Sequence, residues 1–322
     1  MNRKPIVCIG ASLVDETSIV CIGASLVDET FRLKGRPLTG TSNPATLYRA
    51  AGGVSRNIAH HLALLGNRVK LITHFGNDAD GEWLSGECLK AGIDLNDAIR
   101  NHEPTGKFTA LLSPEGDLFT GAVSCRFEEM VTPAFLEEKT AVLKSASLLL
   151  IDTNLSAASL SWLLDFSRIE KIPCAVEPVS VPKAARLKEA NLSGVLLLTP
   201  NLDELSALSG MEQSGDLRPK VKEMLGRGLK YLWVRKGKSG SGLYSATEAI
   251  ELPAPMTEIV DTTGAGDAAL AGFIHAWLQH CSPERCVVYG HAMAALILRV
   301  QGAVHENLNP QMLEDAVKNY KP

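Results

Sequence analysis

Hydrophobic and polar residues follow two alternating periods along most of the chain. Short apolar runs of strand length, such as 69–75 and 148–152, alternate with stretches in which apolar residues recur every three or four positions. The stretch 54–65, closed by Gly66, shows the helical period clearly. This alternation predicts an α/β domain whose helices cover both faces of a mostly parallel sheet. The other predicted helices are 81–91, 157–166, 203–208, 265–279 and 284–300, and the other predicted strands are 174–176, 195–198 and 231–235.

Two stretches interrupt the alternation. Residues 31–51 are polar and contain several glycines and prolines, and residues 108–126 have the pattern of a β-hairpin that turns at 114–117. Both are short strand regions inserted into an α/β body. Because ligands of open α/β sheets bind beyond the carboxyl ends of the strands, we expect these two stretches to form a small sheet that acts as a lid there.

One segment occurs twice, since residues 6–17 and 19–30 are identical. A tandem copy this short is unlike a solenoid, which needs several longer units, and it indicates a recent duplication or a sequence artefact. Each copy has the pattern of a buried strand that ends in a turn with an acidic residue, Asp28 in the second copy. The second copy runs directly into the rest of the chain, so we assign it as the first strand. We therefore expect residues 1–18 to be a leader of uncertain order and residues 19–322 to form a single domain.

Composition and charge restrict the function classes. Hydrophobic residues make up 45% of the chain and charged residues 21%, which is ordinary for a globular protein. A net charge of -4 gives no reason to expect a nucleic-acid groove, and no apolar run is long enough to span a bilayer. The seven cysteines are scattered, as is typical of free thiols in a reducing compartment, and this pattern predicts a cytoplasmic protein.

The strongest chemical signal is the sequence DTTGAGD at 261–267, which leads into a predicted helix. Gly264, Ala265 and Gly266 are small enough for their backbone N–H groups to approach an anion, and the positive end of the helix lies at the same point. The carboxylate of Asp267 opposes simple anion binding. It suits a site where a hydroxyl loses its proton while the helix end stabilises a phosphoryl group. The structural alternative is a glycine-rich turn with Asp267 as a helix-capping acid.

Other candidate positions also allow both a structural and a functional interpretation. The paired glycines at 52 and 53 fit a tight turn before the helix that contains Asn57. Asn201 and Glu204 have the spacing of a capping box. Gly237 and Gly240, which follow Lys236, fit a hairpin turn, and Asp28 fits a turn acid.

In their order along the chain, these motifs resemble the signatures of the ribokinase-like (PfkB-type) carbohydrate kinases, from about residue 19 to the C-terminus. The resemblance implies a ribokinase-like three-layer fold, ATP as phosphoryl donor, Asp267 as the catalytic base and 264–267 as the anion hole. It further implies Mg²⁺ held through water near Glu204 and, as in many relatives, K⁺ beside Asp261 and Thr263. The implied substrate contacts are Asp28, Gly52, Gly53, Asn57 and Asp267, and the implied nucleotide contacts are Asn201, Glu204, Lys236, Gly237, Gly240, Gly264 and Gly266.

Within this family, the segments 41–44, 52–59, 152–156 and 177–180 are similar to those of pseudouridine kinases. Ser42 and Asn43 carry the donors and acceptors that a uracil-like base needs, although Ser-Asn-Pro is also ordinary turn chemistry. Asn154 is a further expected substrate contact. Two positions depart from that group, which usually has Asp where this chain has Glu177 and a small or hydroxyl residue where it has Arg235. The acceptor therefore stays open at this point.

Alternative functions are a kinase for ribose, fructose, 2-keto-3-deoxygluconate, adenosine or inosine, and a catalytically silent sugar- or nucleoside-binding regulator. Retention of 264–267 argues against the regulator. A dinucleotide-dependent oxidoreductase lacks its glycine-rich fingerprint after the first strand. The expected partners are a small sugar or nucleoside, with neither nucleic acid nor membrane, and a second copy of the chain that pairs through exposed lid edges.

Overall fold

The computed structural model describes residues 18–212 and 215–321. The first copy of the repeat, 6–17, and with it nearly all of the expected leader 1–18, lies outside the described residues. The second copy begins the described fold, because its apolar half falls in the first strand of the main sheet.

The described strands form two sheets and one short pair. In chain order they are β1 Ser18–Ile22, β2 Leu26–Leu33, β3 Ala45–Gly52, β4 Arg68–Ile72, β5 His74–Gly76, β6 Ile99–Asn101, β7 Lys107–Leu112, β8 Leu118–Ser124, β9 Ala146–Asp152, β10 Cys174–Glu177, β11 Leu197–Leu198, β12 Tyr231–Arg235, β13 Ser241–Tyr244 and β14 Ala249–Leu252. The main sheet has the order β14-β13-β12-β11-β10-β9-β1-β4. Its strands are parallel from β12 to β4, and the last two are added antiparallel at one edge.

Helices cover both faces of the main sheet. In chain order they are α1 Val54–Leu64, α2 Ala79–Lys90, α3 Phe127–Met130, α4 Pro133–Glu138, α5 Thr140–Lys144, α6 Ala157–Glu170, α7 Val181–Ala184, α8 Leu202–Ser209, α9 Leu217–Gly226, α10 Ala265–Leu278, α11 Pro283–Leu298 and α12 Pro310–Lys318. Successive residues of β1 show the layering, because Ile19 and Cys21 belong to one core and Val20 and Ile22 to the other, all fully buried. The predicted fold class is confirmed. Within the described residues, no helix is both long and apolar enough to cross a membrane.

The second sheet, which we call the lid, has the order β3-β2-β7-β8. It begins earlier than the sequence pattern suggested, because β2 starts at Leu26. The prediction that Asp28 closes the first strand is wrong: the main strand ends at Ile22, and Asp28 lies inside β2, opposite Ala50 of β3. The physical reason is the change of pattern after Ile22, from the fully buried residues of β1 to the mostly half-buried residues of β2, which suit a sheet covered on one side.

Charged residues connect the lid to helix α2. Glu29 and Lys107 come from adjacent lid strands, and the Lys107 ammonium lies 2.7 Å from the Asp80 carboxylate and 3.3 Å from that of Glu29. Arg49 bridges the same two carboxylates from β3, and its guanidinium lies over the ring of Trp83. Each of these pairs is partly exposed and contributes little alone, but the network fixes how the lid is attached to the body.

Several elements were not predicted from the sequence. The predicted strand 69–75 is divided into β4 and β5, and β5 pairs with the unpredicted β6 outside the main sheet. The edge strand β14, which alternates between exposed and half-buried residues, and helix α12, which buries Leu313 and Val317 on one face, were also not predicted.

Candidate active site

The turn between the lid and helix α1 is built on Gly53. Its φ of 99° lies in the left-handed region, and a side chain there would collide with the backbone carbonyl of Ala24. Gly53 is the N-cap of α1, so the turn directs the first residues of that helix, including Asn57, under the lid. The neighbouring Gly52 lies directly against the Asp28 carboxylate, which leaves no room for a side chain.

A second tight turn lies at the start of helix α10. Gly264 is its N-cap with a φ of 74°, and a Cβ at this position would lie 2.6 Å from the backbone of Ala303. Ala265, Gly266 and Asp267 form the first turn of the helix, where N–H groups have no partner within the helix and the dipole favours negative charge. This geometry suits an oxyanion or phosphoryl group.

Asn57 joins these two turns. Its Nδ2 donates a hydrogen bond of 2.7 Å to Oδ2 of Asp267, although the two residues are 210 positions apart in the chain. Asp267 is partly buried, and removal from water raises its pKa to about 7, against the opposing effect of the Asn57 hydrogen bond. A carboxylate with that pKa can hold a proton taken from a hydroxyl near neutral pH.

Asp28 lies on the lid side of the same region. Burial raises its pKa to about 6, and the positive charge of Arg56 acts in the opposite direction. Arg56 is almost fully buried, and it donates hydrogen bonds to the Gly52 carbonyl at 3.2 Å, to the Ala51 carbonyl and to Oδ1 of Asn57 at 2.5 Å. The contacts of Arg56 with the site were not predicted from the sequence, although a charged residue in the first turn of a predicted core helix indicates a functional position.

Asn154 is connected to the site through Asp152. The fully buried Asp152 carboxylate accepts hydrogen bonds from the backbone N–H of Ser55 at 3.2 Å and of Asn154 at 2.9 Å. The Oδ1 atom of Asn154 accepts a hydrogen bond from Lys183. The structure therefore places Asn154 beside the N-terminus of α1.

The expected nucleotide residues line the carboxyl ends of β11 and β12. Asn201 and Glu204 form a capping box at the start of α8: the Asn201 side chain accepts from the Glu204 N–H, and the Glu204 carboxylate accepts from the Asn201 N–H, both at 2.9 Å. Burial, and then the charge of Glu177, raise the pKa of Glu204. Glu177 forms a 2.6 Å ion pair with Arg235, another contact that sequence reasoning missed.

Lys236, Gly237 and Gly240 form the turn between β12 and β13. The Lys236 ammonium pairs with Glu251 on β14, so in this structure it is directed along the sheet edge. Gly237 and Gly240 both have positive φ angles and supply the turn.

The loop before helix α10 is organised by Asp261. Its Oδ1 accepts hydrogen bonds from the backbone N–H and the hydroxyl of Thr263, at 2.9 and 2.7 Å, and its Oδ2 accepts from the Gly302 N–H at 2.9 Å. Burial would raise the pKa of Asp261, but these hydrogen bonds outweigh it and hold the pKa below its usual value. Across 18–212 and 215–321, no three histidine, cysteine, aspartate or glutamate side chains form a ready-made metal cluster.

Ser42 and Asn43 do not join the other predicted residues. They lie in the loop between β2 and β3, more than about 20 Å along the strand from Gly52 at about 3.3 Å per residue. The Asn43 side chain bonds to its own loop, accepting from the Leu38 N–H and donating to the Leu38 carbonyl, both at 2.8 Å.

Comparisons with known proteins agree with this geometry. The sequence profile of the pfkB family carbohydrate kinases matches residues 16–310. An uncharacterized sugar kinase of Escherichia coli, YeiI, is 31% identical over 87% of this chain and 77% of its own length. The pseudouridine kinase of the same organism is 28% identical over 86% of this chain and 89% of its own.

Solved structures give the same result. A carbohydrate kinase from Agrobacterium tumefaciens superposes with a TM-score of 0.82 at 26% identity, over 94% of this chain and 98% of its own. The Arabidopsis thaliana ribokinase complexed with ribose and ATP has a TM-score of 0.81 at 24% identity, over 94% and 99% of the two chains. The chain belongs to the PfkB family of carbohydrate kinases and is an ATP-dependent carbohydrate or nucleoside kinase.

Proposed function

We propose that this kinase phosphorylates pseudouridine to pseudouridine 5'-phosphate, with Asp267 as general base. The observation that carries the proposed chemistry is the 2.7 Å hydrogen bond from Asn57 to Asp267. It joins helix α1, which follows the proposed acceptor turn at Gly53, to the start of helix α10, the proposed anion hole. The choice of pseudouridine is supported by the likeness to the pseudouridine kinase of Escherichia coli and by the segments 52–59 and 152–156, which lie at the site.

The reaction needs alignment and charge neutralisation more than covalent help. The acceptor hydroxyl oxygen attacks the γ-phosphorus of ATP, its proton passes to the Asp267 carboxylate, and the bond to the bridging oxygen breaks to release ADP. The N–H groups of 264–267 stabilise the negative charge on the phosphoryl group in transfer. Asn57 holds Asp267 in the orientation that receives the proton.

Asp28, Gly52, Gly53 and Asn154 are proposed to hold the acceptor. Gly52 and Gly53 leave the space beside Asp28 free of side-chain bulk, and the Asp28 carboxylate can accept hydrogen bonds from two sugar hydroxyls. Hydrogen bonds to Asp152 and Lys183 fix the position of Asn154. It is proposed to bond to a polar edge of the acceptor. Ser42 and Asn43 are proposed to recognise the base when the lid tip bends toward the site.

The nucleotide side is proposed to consist of Asn201, Glu204, Lys236, Gly237 and Gly240, with Gly264 and Gly266 at the phosphates. Family membership implies ATP and, typically, Mg²⁺. The Glu204 carboxylate offers the hard oxygen that Mg²⁺ prefers, and it would hold the ion through water because the neighbouring donors are few. When bound, the ion neutralises phosphate charge. Asp261 stays ionised beside Thr263, which fits K⁺ next to the anion hole.

The function is tested by ADP release with pseudouridine, uridine, inosine and ribose side by side, and with Asp267→Asn as the control. We expect kcat/KM to be highest for pseudouridine and turnover to be lost in the variant. A higher kcat/KM for ribose, fructose, adenosine or inosine would reassign the acceptor within the family. Binding of pseudouridine without ADP release in the wild type would support a silent regulator.

We also propose that the protein acts in the cytoplasm as a homodimer through the lid. The lid exposes large apolar side chains, and two edge strands, β3 and β8, are open to pairing. The exposed apolar residues are Leu47, Tyr48, Leu118, Phe119 and Val123. Sedimentation of the wild type, of Phe119→Ser and of a variant without the lid measures the oligomeric state, and we expect the dimer to be lost in both variants. A dimer that persists in both would place the interface elsewhere.

A further inference from the structure

Arg235 brings a fixed positive charge to the anion hole. It is the last residue of β12, at the carboxyl end of the main sheet, where its backbone N–H donates to the Pro200 carbonyl at 2.9 Å. Its side chain is only 17% exposed. A Cβ placed on Gly266 would lie 2.7 Å from Nη1 of Arg235, so the guanidinium lies directly against the small residues that form the hole.

Glu177 holds this guanidinium in place. Nη2 of Arg235 donates to Oε1 of Glu177 at 2.6 Å, and the other Glu177 oxygen accepts from the Thr199 hydroxyl at 2.6 Å. Glu177 is almost completely buried at the end of the neighbouring strand β10. With both oxygens engaged, the carboxylate has one orientation, and the planar fork of the arginine is fixed with it.

The rest of the guanidinium is available for a ligand. Among the residues that the structure describes, the polar contacts of this group are the bond to Glu177 and a 3.9 Å approach of the same Nη2 to Glu204. Nη1, which lies against Gly266, makes no hydrogen bond to any of them. Two donors of a nearly buried cation thus lie at the point where the phosphate charge of the nucleotide must lie.

We propose that Arg235 is a catalytic residue that binds the phosphoryl group during its transfer, and that Glu177 is its positioning residue. In the transfer, the bond from the γ-phosphorus to the bridging oxygen breaks while the acceptor oxygen bonds to phosphorus and its proton goes to Asp267. Nη1 of Arg235 donates to the non-bridging phosphoryl oxygens as their charge develops, without any change in its own protonation. The inference rests on the kinase activity of the proposed function and does not depend on which acceptor is correct.

The competing explanation is that Arg235 only acts on the charges of the carboxylates around it, Glu177, Glu204 and Asp267. The two explanations differ in a double substitution. If charge balance is the whole role, Arg235→Thr combined with Glu177→Gln removes two charges whose effects on the pKa of Asp267 oppose each other, while Glu204 keeps the hydrogen bond from the Asn201 N–H, so activity returns. If Arg235 contacts the phosphoryl group, the double variant regains stability but not turnover.

The experiment compares Arg235→Thr, Arg235→Lys, Glu177→Gln and the double variant, with Arg126→Thr as the matched control. Arg126 also makes ion pairs, with Glu103 and Glu129, but on the exposed surface. Turnover is measured with the acceptor that the wild type prefers. Binding of ADP and of adenosine is measured by calorimetry without any other acceptor. Because adenosine is one of the alternative acceptors, ADP release with adenosine is measured first, and adenine replaces it as the phosphate-free ligand if it is turned over.

We expect Arg235→Thr and the double variant to lose at least about 100-fold in kcat, with ADP affinity reduced and adenosine affinity unchanged. Arg235→Lys keeps a positive charge without the planar fork of donors, so we expect its kcat to lie between those of these two variants and that of the wild type. Guanidinium ion added to Arg235→Thr should restore part of the turnover. Wild-type kcat in the double variant, or equal losses of ADP and adenosine affinity in a folded protein, would overturn the proposal. If no tested acceptor is turned over but ADP affinity falls as expected, only the acceptor assignment fails.

Discussion

The two sheets of this protein differ in how far they are buried, and the site combines residues from both. Strands of the main sheet are covered on both faces, as in β10, where every residue is buried, whereas every residue of the lid strand β8 is exposed. The proposed base Asp267 and its partner Asn57 belong to helices packed on the main sheet, and Asp28 belongs to the lid. In the proposed mechanism the groups that transfer the phosphoryl therefore lie on the buried body, whereas Asp28, a proposed acceptor contact, lies on the more exposed sheet.

The largest expected effect lies in the body. Asp267→Asn retains an oxygen that can accept the Asn57 hydrogen bond but removes the base, so we expect kcat to fall about 10²- to 10⁴-fold with acceptor binding kept. Steady-state ADP release and calorimetry of acceptor binding check this. A variant with more than a tenth of wild-type kcat would show that the proton leaves by another route.

The same substitution has an expected effect on stability. Because burial raises the pKa of Asp267 from 3.8 to about 7, the folded state holds a proton that the unfolded state releases between about pH 4 and 7. Stability therefore falls as pH rises through this window. Asp267→Asn should be more stable than the wild type at pH 8, by on the order of 1 kcal/mol or more, and close to it at pH 4. Urea titrations at both pH values measure the difference, and equal stabilities at pH 8 would contradict it.

The next largest effect concerns the junction of lid and body. Gly53→Ala places a side chain at positive φ and against the Ala24 carbonyl, so the turn must shift and Asn57 with it. We expect at least about a tenfold loss of kcat/KM, in addition to the roughly 1–2 kcal/mol that a left-handed residue costs. Kinetics and thermal unfolding together measure it.

Gly66→Ala is the matched control, because Gly66 follows the other end of the same helix with a φ of 83° and open space around its Cα. It should lose only the roughly 1–2 kcal/mol that the positive φ costs, without the collision found at Gly53, and keep wild-type kcat/KM. Equal kinetic losses in both variants would mean that helix stability, and not the position of Asn57, controls activity.

A smaller effect is expected from the lid residue Asp28. Removing a charged hydrogen-bond acceptor for sugar hydroxyls should raise KM for the acceptor about 10-fold or more, while kcat changes by less than about 3-fold. Asp28→Asn measured at pH 8, where a group with a pKa of about 6 is ionised, checks this. A loss confined to kcat would move Asp28 from acceptor binding to the chemistry.

The smallest effect is expected at the lid tip. Asn43 already bonds to Leu38 in its own loop, so Asn43→Ala should change KM for the acceptor by less than about 3-fold. Kinetic measurement of this variant also tests the sequence-based expectation for Ser42 and Asn43. A KM increase of 10-fold or more would show that the tip reaches the acceptor when the lid closes.

Much of the fold could be predicted from the sequence, because buried parallel strands and core helices leave strong apolar periods. The candidate site at 261–267 could also be predicted, since small residues followed by a carboxylate at a helix start form a specific pattern. The position of Asp28 was not predicted correctly, because a local pattern does not show where the chain changes sheets. The ion pair between Glu177 and Arg235 was also not predicted, because the two residues lie 58 positions apart in the chain and only the sheet order brings them together.

The central claim is that a carboxylate with a raised pKa, held at the start of α10, removes the proton from the acceptor. The pH dependence of kcat/KM tests it most directly, because this quantity reports the ionisation of the free enzyme. We expect kcat/KM to rise with pH between about pH 6 and 7 and to level off above it, with this step absent from the residual activity of Asp267→Asn. Only the rise below about pH 6 that comes from ionisation of Asp28 should remain in the variant. A profile that is flat between about pH 5 and 8, or a rise that persists unchanged in the variant, would contradict the account.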